Sequence, residues 1–415
     1  THATKDLVRV LLYDSLKIMS QQEGEIPIYA EKHVVDMLDR IVCFSPEHPI
    51  VPFKDSDLKV TFYSAGHILG ASSIYIQSKE GNIFYSGDIS MTSQHTVNGA
   101  TIPKLRPDLM LVESTYGDKL HANRQVEEER LVKMVDEVIA RGGKILIPAF
   151  ALGRAQEVIL ILKRAKNRGD LKGIKVYVDG MVKDICRVYR LNPNYLKNSL
   201  AKRVWRGNDI FFDDDIIQVE NREMREEIID SEAPCCIISS SGMLSGGPSQ
   251  WYASKLITDE KNHIAMTGYQ DEEAPGRILL NLLEAEADEG KVVALGDVRV
   301  PVRSSVGSYS LSAHADRGEI LGLCHALAPR KLFLVHGEEE ATVNLGREIQ
   351  GEIRGQVYIA NNGESHEIDI RNPRKQIRRR AFPSLKRSDM LREAGEIGIL
   401  WKHIRENGGE KFALS

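Results

Sequence analysis

Gly66-His67-Ile68-Leu69-Gly70-Ala71-Ser72-Ser73 lies between two short runs, Val60 to Ser64 and Ser73 to Gln77. Their β-branched and aromatic residues read as strands, and the glycines mark the turn between them. A histidine is therefore expected where a sheet ends and a loop begins. The pattern recurs where Ile83 to Tyr85 runs into Ser86-Gly87-Asp88, and where Leu332 to Val335 runs into His336-Gly337-Glu338. Strand ends are where α/β enzymes keep their chemistry. Imidazole nitrogen and carboxylate oxygen are zinc ligands, and a carboxylate between two cations can bridge them. His67, Asp88 and His336 are accordingly the candidate metal ligands. Each has a plainer reading, as a packing histidine or a turn carboxylate, that its own spacing does not exclude.

The chain has 415 residues, 42% hydrophobic and 27% charged, room for two or three domains with a large core. Its most apolar stretches, such as Val158 to Leu162 and Ile278 to Leu283, fall far short of a bilayer span. No charged, apolar, small-residue signal opens the sequence, so no membrane partner and a cytoplasmic location are expected. Five cysteines form no Cys-x-x-Cys pair, which points to reduced core residues rather than staples or zinc ligands. A net charge of −4 gives no global pull on nucleic acid, so a polyanion would have to be held by a local basic surface.

Strands alternate with longer amphipathic segments along the whole chain. Leu109 to Val112, Lys144 to Pro148, Lys175 to Val178, Cys236 to Ser239, His263 to Met266, Lys291 to Leu295 and Gln356 to Ile359 read as further strands. Helical periodicity runs through Gln125 to Ala140, Ala155 to Arg168 and Ala341 to Ile353. The fold class is α/β. Arg371 to Arg387 is dense in Lys and Arg, and an apolar stripe including Met390, Leu391, Ile397, Leu400 and Trp401 follows, so residues 372–415 read as a basic tail with a helix.

Seven motifs occur in order. They are Gly66 to Ala71, Ser86-Gly87-Asp88, Val112-Glu113-Ser114-Thr115-Tyr116-Gly117, the stretch from Pro148-Ala149-Phe150 to Arg154-Ala155-Gln156-Glu157, Ser240-Ser241-Gly242-Met243-Leu244, Ser312-Ala313-His314-Ala315-Asp316, and Leu334 to Glu338. Together they resemble the metallo-β-lactamase-fold nucleases of the β-CASP group, in the branch of the cleavage and polyadenylation specificity factor endonuclease. The resemblance covers Thr1 to about Asp369. It implies a metallo-β-lactamase αββα sandwich, N-terminally truncated, over 1–118 and 308–371, with a β-CASP α/β domain inserted over 119–307.

It also implies roles. His67 matches a ligand of one zinc, Asp88 the carboxylate bridging two, and His336 a ligand of the other. Two Zn²⁺ in the complete family site, with Mn²⁺ as a substitute, would activate a water and offset charge on the phosphate oxygens. His314 matches the proton donor to the leaving oxygen and Glu113 the acid that orients it. Arg154, at a helix start after a strand, suits a phosphate, although a strand-turn-helix closed by Gly153 explains it equally well. Ser241, Gly242 and Tyr269 are weaker candidates for substrate contact.

The expected function is a zinc-dependent ribonuclease cutting single-stranded RNA, as an endonuclease, a 5′ exonuclease or both. The alternative is a non-catalytic RNA-binding scaffold paralogue. Relatives carry a His-x-His-x-Asp-His string that supplies further metal ligands, and this sequence has none. The chain alone is therefore expected to be inactive. A separate N-terminal fragment carrying those ligands, and a homodimer, are the protein partners this reading raises.

Overall fold

In order, the strands are Lys59–Ser64 (β1), Ser72–Gln77 (β2), Asn82–Tyr85 (β3), Leu109–Glu113 (β4), Lys144–Pro148 (β5), Val176–Asp179 (β6) and Ile216–Gln218 (β7). Then come Cys235–Ser239 (β8), His263–Met266 (β9), Val292–Leu295 (β10), Val298–Pro301 (β11), Ser305–Ser308 (β12), Lys331–Val335 (β13) and Gln356–Ile359 (β14). The structure is a computed structural model that describes residues 1–21, 27–54, 56–284 and 291–375. Of the expected basic tail, everything from 376 onward lies outside the described residues. Residues 1–374 form one compact unit.

The first sheet has the order β1-β2-β3-β4-β13-β14. β1, β2 and β3 run antiparallel in sequence, whereas β3, β4, β13 and β14 are parallel. Two antiparallel steps make β1 parallel to β3, so β1, β3, β4 and β13 all end at the same edge. At that edge Glu113 ends β4, and His67, Asp88 and His336 follow their strands in the chain. Period-two alternation turns Tyr75, Phe84, Met110, Val112, Leu332 and Leu334 to one face. There they pack against Ile320, Leu323 and Leu327 of the helix Arg317–Leu327 and Leu345 and Ile349 of the helix Glu339–Glu352.

The second sheet, β12-β9-β5-β8-β6-β7, is parallel throughout. Its central strands are buried on both faces, every residue of Cys235–Ser239 and His263–Met266 included. This is why they read as unbroken apolar runs. Helices Arg124–Ala140 and Arg154–Arg168 cover it through Leu131, Val135, Val138, Val158, Ile159 and Leu162. The chain leaves the first sheet after β4, builds the second from β5 to β9 and β12 with β10 and β11 as a separate antiparallel pair, and returns as β13 beside β4. The fold is a metallo-β-lactamase architecture with a β-CASP insertion, and the described residues supply one β layer of its sandwich.

The N-terminal helix His2–Gln21 ties the two sheets together. Ala3 and Leu7 are buried in the core of the second sheet, while Thr1 Oγ1 donates to the Gly70 carbonyl at 3.1 Å in the loop that carries His67.

Candidate active site

Backbone pairing beyond the strands brings His67 and Asp88 together. Gly66 pairs with Ile89 in an isolated antiparallel bridge, and Ser90 N donates to the Ala65 carbonyl at 2.9 Å. Gly66 sits at φ +74°, and a Cβ there would lie 2.4 Å from both Ala100 N and Ser90 O. Only glycine fits. Gly66→Ala is expected to destabilise the protein by about 2–4 kcal/mol, from left-handed strain plus backbone overpacking, read as a lowered thermal midpoint. An unchanged midpoint would show that this turn does not hold the loop.

His67 Nδ1 lies 2.9 Å from the Ala313 carbonyl, which can only accept, so Nδ1 carries the proton and Nε2 is left as a ligand. That Nε2 is 3.9 Å from Asp88 Oδ2. Burial, and then the nearby His314, push the His67 pKa down, which favours the neutral ring that a metal needs. On the other side, His336 Nε2 is 3.2 Å from Asp88 Oδ1. His336 is held at φ +54°, unusual for a residue with a side chain, and its carbonyl accepts from Ser114 N at 3.1 Å. The strand-end backbone is thus pinned while the imidazole stands 60% exposed. His67, Asp88 and His336 converge, with one carboxylate oxygen facing each imidazole.

His314 enters the same space from the segment after β12. Its Nδ1 is 2.8 Å from Glu113 Oε2, and its ring centroid is 4.4 Å from that of His67 and 6.0 Å from that of His336. Glu113 is 1% exposed and fully engaged: Ile89 N donates at 2.6 Å, Thr115 Oγ1 at 2.6 Å, and His314 from its ring. Burial alone would raise the Glu113 pKa. The His314 contact, Thr115 and Ile89 outweigh it and hold the carboxyl below its ordinary value.

The donor set fits a divalent cation. His67, Asp88 and His314 each offer a ligand atom within 4.8 Å of one another. His336 stands outside that trio yet is nearer Asp88 than His67 is. The geometry reconciles the two facts if the carboxylate serves both sides, with His67 toward one oxygen and His336 toward the other. Because His314 already spends Nδ1 on Glu113, only its Nε2 is free for a metal or for a leaving group.

Three of the weaker candidates, with Arg154, line one cavity of about 480 Å³ that also includes His67, Tyr116, Phe150 and His314. Its walls follow the C-terminal ends of β5, β8, β9 and β12. Ser241 Oγ pairs with Ser245 Oγ at 3.1 Å, and Gly242 packs so closely that a Cβ would meet Phe150 N at 2.8 Å. Tyr269 donates its hydroxyl to Glu338 Oε1 at 2.6 Å, joining the end of β9 to the turn after His336. Sequence reasoning did not assign His121, whose Nε2 donates to the His314 carbonyl at 3.0 Å and whose ring lies edge-on to Tyr116 at 4.8 Å. Nor did it assign Thr115, although its place two residues after Glu113 was a signal.

A profile described as "Beta-Casp domain" matches residues 155–279, and one described as "Zn-dependent metallo-hydrolase RNA specificity domain" matches 299–360. The chain is 30% identical over 372 residues to transcription termination factor FttA of Methanocaldococcus jannaschii, covering 87% of this chain and 57% of that protein. It is 31% identical over 373 residues to Integrator complex subunit 11 of Danio rerio, covering 90% of this chain and 60% of the relative. The chain thus spans less than two thirds of the length of these two relatives. An "RNase J-like protein" of M. jannaschii is 30% identical over 374 residues, 88% of this chain and 81% of its own length. On this shared extent, and on the ordered motifs that build one site at one sheet edge, the chain belongs to the β-CASP metallo-β-lactamase nuclease family.

Proposed function

We propose that this protein is a zinc-dependent ribonuclease that hydrolyses phosphodiester bonds of single-stranded RNA, within the strand or from its 5′ end. The observation that carries the reading is the His314–Glu113 pair, 2.8 Å apart, set beside the His67, Asp88 and His336 donors. His67, Asp88 and His336 would hold the metal, which when bound supplies an activated water and positive charge for the phosphate oxygens. His314 presents Nε2 to the leaving oxygen, while Glu113 fixes the ring through Nδ1 and is itself held by Ile89 N–H and Thr115. The cavity beyond His314 would take the strand, with Arg154, Ser241, Gly242 and Tyr269 along its wall. The metallo-β-lactamase parts are assigned to 1–118 and 308–371 and the β-CASP domain to 119–307, in keeping with sheet membership.

The test is cleavage of a single-stranded RNA, with zinc or manganese supplied, by the chain joined to a relative's His-x-His-x-Asp-His segment, which completes the metal ligands. Products that depend on the metal are expected. RNA binding with no cleavage of RNA or single-stranded DNA would instead establish the scaffold reading. A finer check is Glu113→Gln, expected to slow cleavage by about tenfold without loss of zinc, because it weakens the ring's support and leaves the ring in place. An unchanged rate would remove Glu113 from the reaction.

A further inference from the structure

Arg154 is the first residue of the helix Arg154–Arg168, 7% exposed, and lines the cavity next to His67 and His314. Buried guanidinium groups are almost always paired. This one is not. Its Nη1 has no hydrogen-bond partner, and among the described residues it makes no ion pair. The nearest helical carboxylate, Glu157, is already saturated. It accepts from His95 N at 2.6 Å, Thr96 N at 2.7 Å, Thr96 Oγ1 at 2.6 Å and Arg124 Nη2 at 2.9 Å. Burial, with the like charge of Arg124, pulls the Arg154 pKa down to about 10. The surrounding wall is largely apolar, with Ile68, Phe150, Leu152 and Met181. Gly153 brings the helix start against the His67 loop, since a Cβ there would meet Ile68 at 2.5 Å.

A buried cation that no carboxylate contacts, with only the already engaged Glu157 acting on it from a distance, costs stability, and an arriving anion offsets that cost. We propose that Arg154 is an anion-binding residue that takes a phosphate group of the nucleic-acid strand, holding it at a fixed offset from the reacting centre. The ligand class follows from the chemistry: a desolvated guanidinium fork over a helix start matches a tetrahedral oxyanion, and the apolar wall beside it matches a nucleobase or ribose. This inference rests on the nuclease reading for the identity of the strand. Its test does not, because it reads binding and stability with metal removed.

The experiment is thermal unfolding of the metal-free protein in rising inorganic phosphate, against chloride at equal ionic strength, for wild type and Arg154→Met. Phosphate is expected to raise the wild-type midpoint and leave that of the variant unmoved. Without phosphate, Arg154→Met is expected to melt about 2–4 °C higher, the reverse of what loss of a structural arginine gives. Affinity for a short oligo-uridylate should fall about 10–100-fold in the variant. A loss shared by 5′-phosphate and 5′-hydroxyl strands places an internal phosphodiester on Arg154; a loss confined to the 5′-phosphate strand places the terminal group there. A variant that melts lower and binds RNA as wild type does would overturn the proposal. So would a wild-type midpoint that ignores phosphate together with unchanged RNA affinity. Should Arg154→Met not fold, the wild-type phosphate response decides, supported by a partial affinity loss in Arg154→Lys, which keeps the charge but not the fork. Failure to cleave RNA would leave these outcomes standing and would count against the nuclease reading alone.

Discussion

In the chain joined to a His-x-His-x-Asp-His segment, His314→Ala slows RNA cleavage by about 10²–10⁴-fold while zinc content and RNA affinity stay close to those of the unsubstituted protein; that is the expected result for a positioned proton donor. The substitution is clean because of how Glu113 is held. Without His314 the buried carboxylate keeps Ile89 N–H and the Thr115 hydroxyl as donors, so no unsatisfied charge is created and the fold should survive. The same measurement separates two roles that the geometry brings close. His314 lies with His67 and Asp88 in one potential metal cluster, so a ligand role would show as lost zinc. Zinc depletion in His314→Ala comparable to that of His67→Ala would reject the proton-donor assignment, and unchanged cleavage would reject both.

Much of this site was legible in the sequence because its chemistry is local to strand ends. Lys144–Pro148, His263–Met266 and Gln356–Ile359 carry compact apolar runs, and their bounds match the sequence reading. Elements that depend on their neighbours were not legible. β12 is Ser305-Val306-Gly307-Ser308, with no apolar run; it exists because it pairs with β9. Its Gly307 keeps clear of His263 and Tyr309, each 3.2 Å from where a Cβ would be. The helix Arg317–Leu327 contains Gly318 and Gly322, weak helix formers whose cost is offset by Ile320, Leu323 and Leu327 packing on the first sheet. The helix His2–Gln21 hides for a related reason, as Ala3 and Leu7 are deeply buried but most of its surface is not. Long-range pairs were beyond reach altogether. Tyr269 finds Glu338 across 69 residues and His121 finds the His314 carbonyl across 193, and no spacing rule encodes either. The unpaired state of Arg154 belongs here too, since it follows from Glu157 being consumed by His95, Thr96 and Arg124.

In the chain joined to a His-x-His-x-Asp-His segment, Asp88→Ala is expected to lose both metal and activity, bringing cleavage to background. The reason is positional. Asp88 Oδ1 faces His336 Nε2 at 3.2 Å and Oδ2 faces His67 Nε2 at 3.9 Å, so one side chain serves both halves of the donor set. Removing it leaves the two imidazoles with no carboxylate between them, and both halves lose a ligand. The loss should not come from unfolding, because the Asp88 side chain is 39% exposed and caps no helix among the described residues. The metal-free variant should therefore melt near the metal-free wild type. Metal analysis of this chain by itself gives the companion number. With His67, Asp88 and His336 as donors, fewer than two zinc ions per molecule are expected, since a stable site uses about four ligands per ion. Two tightly bound ions on these three side chains, or full zinc content in Asp88→Ala, would show that the metal sits elsewhere.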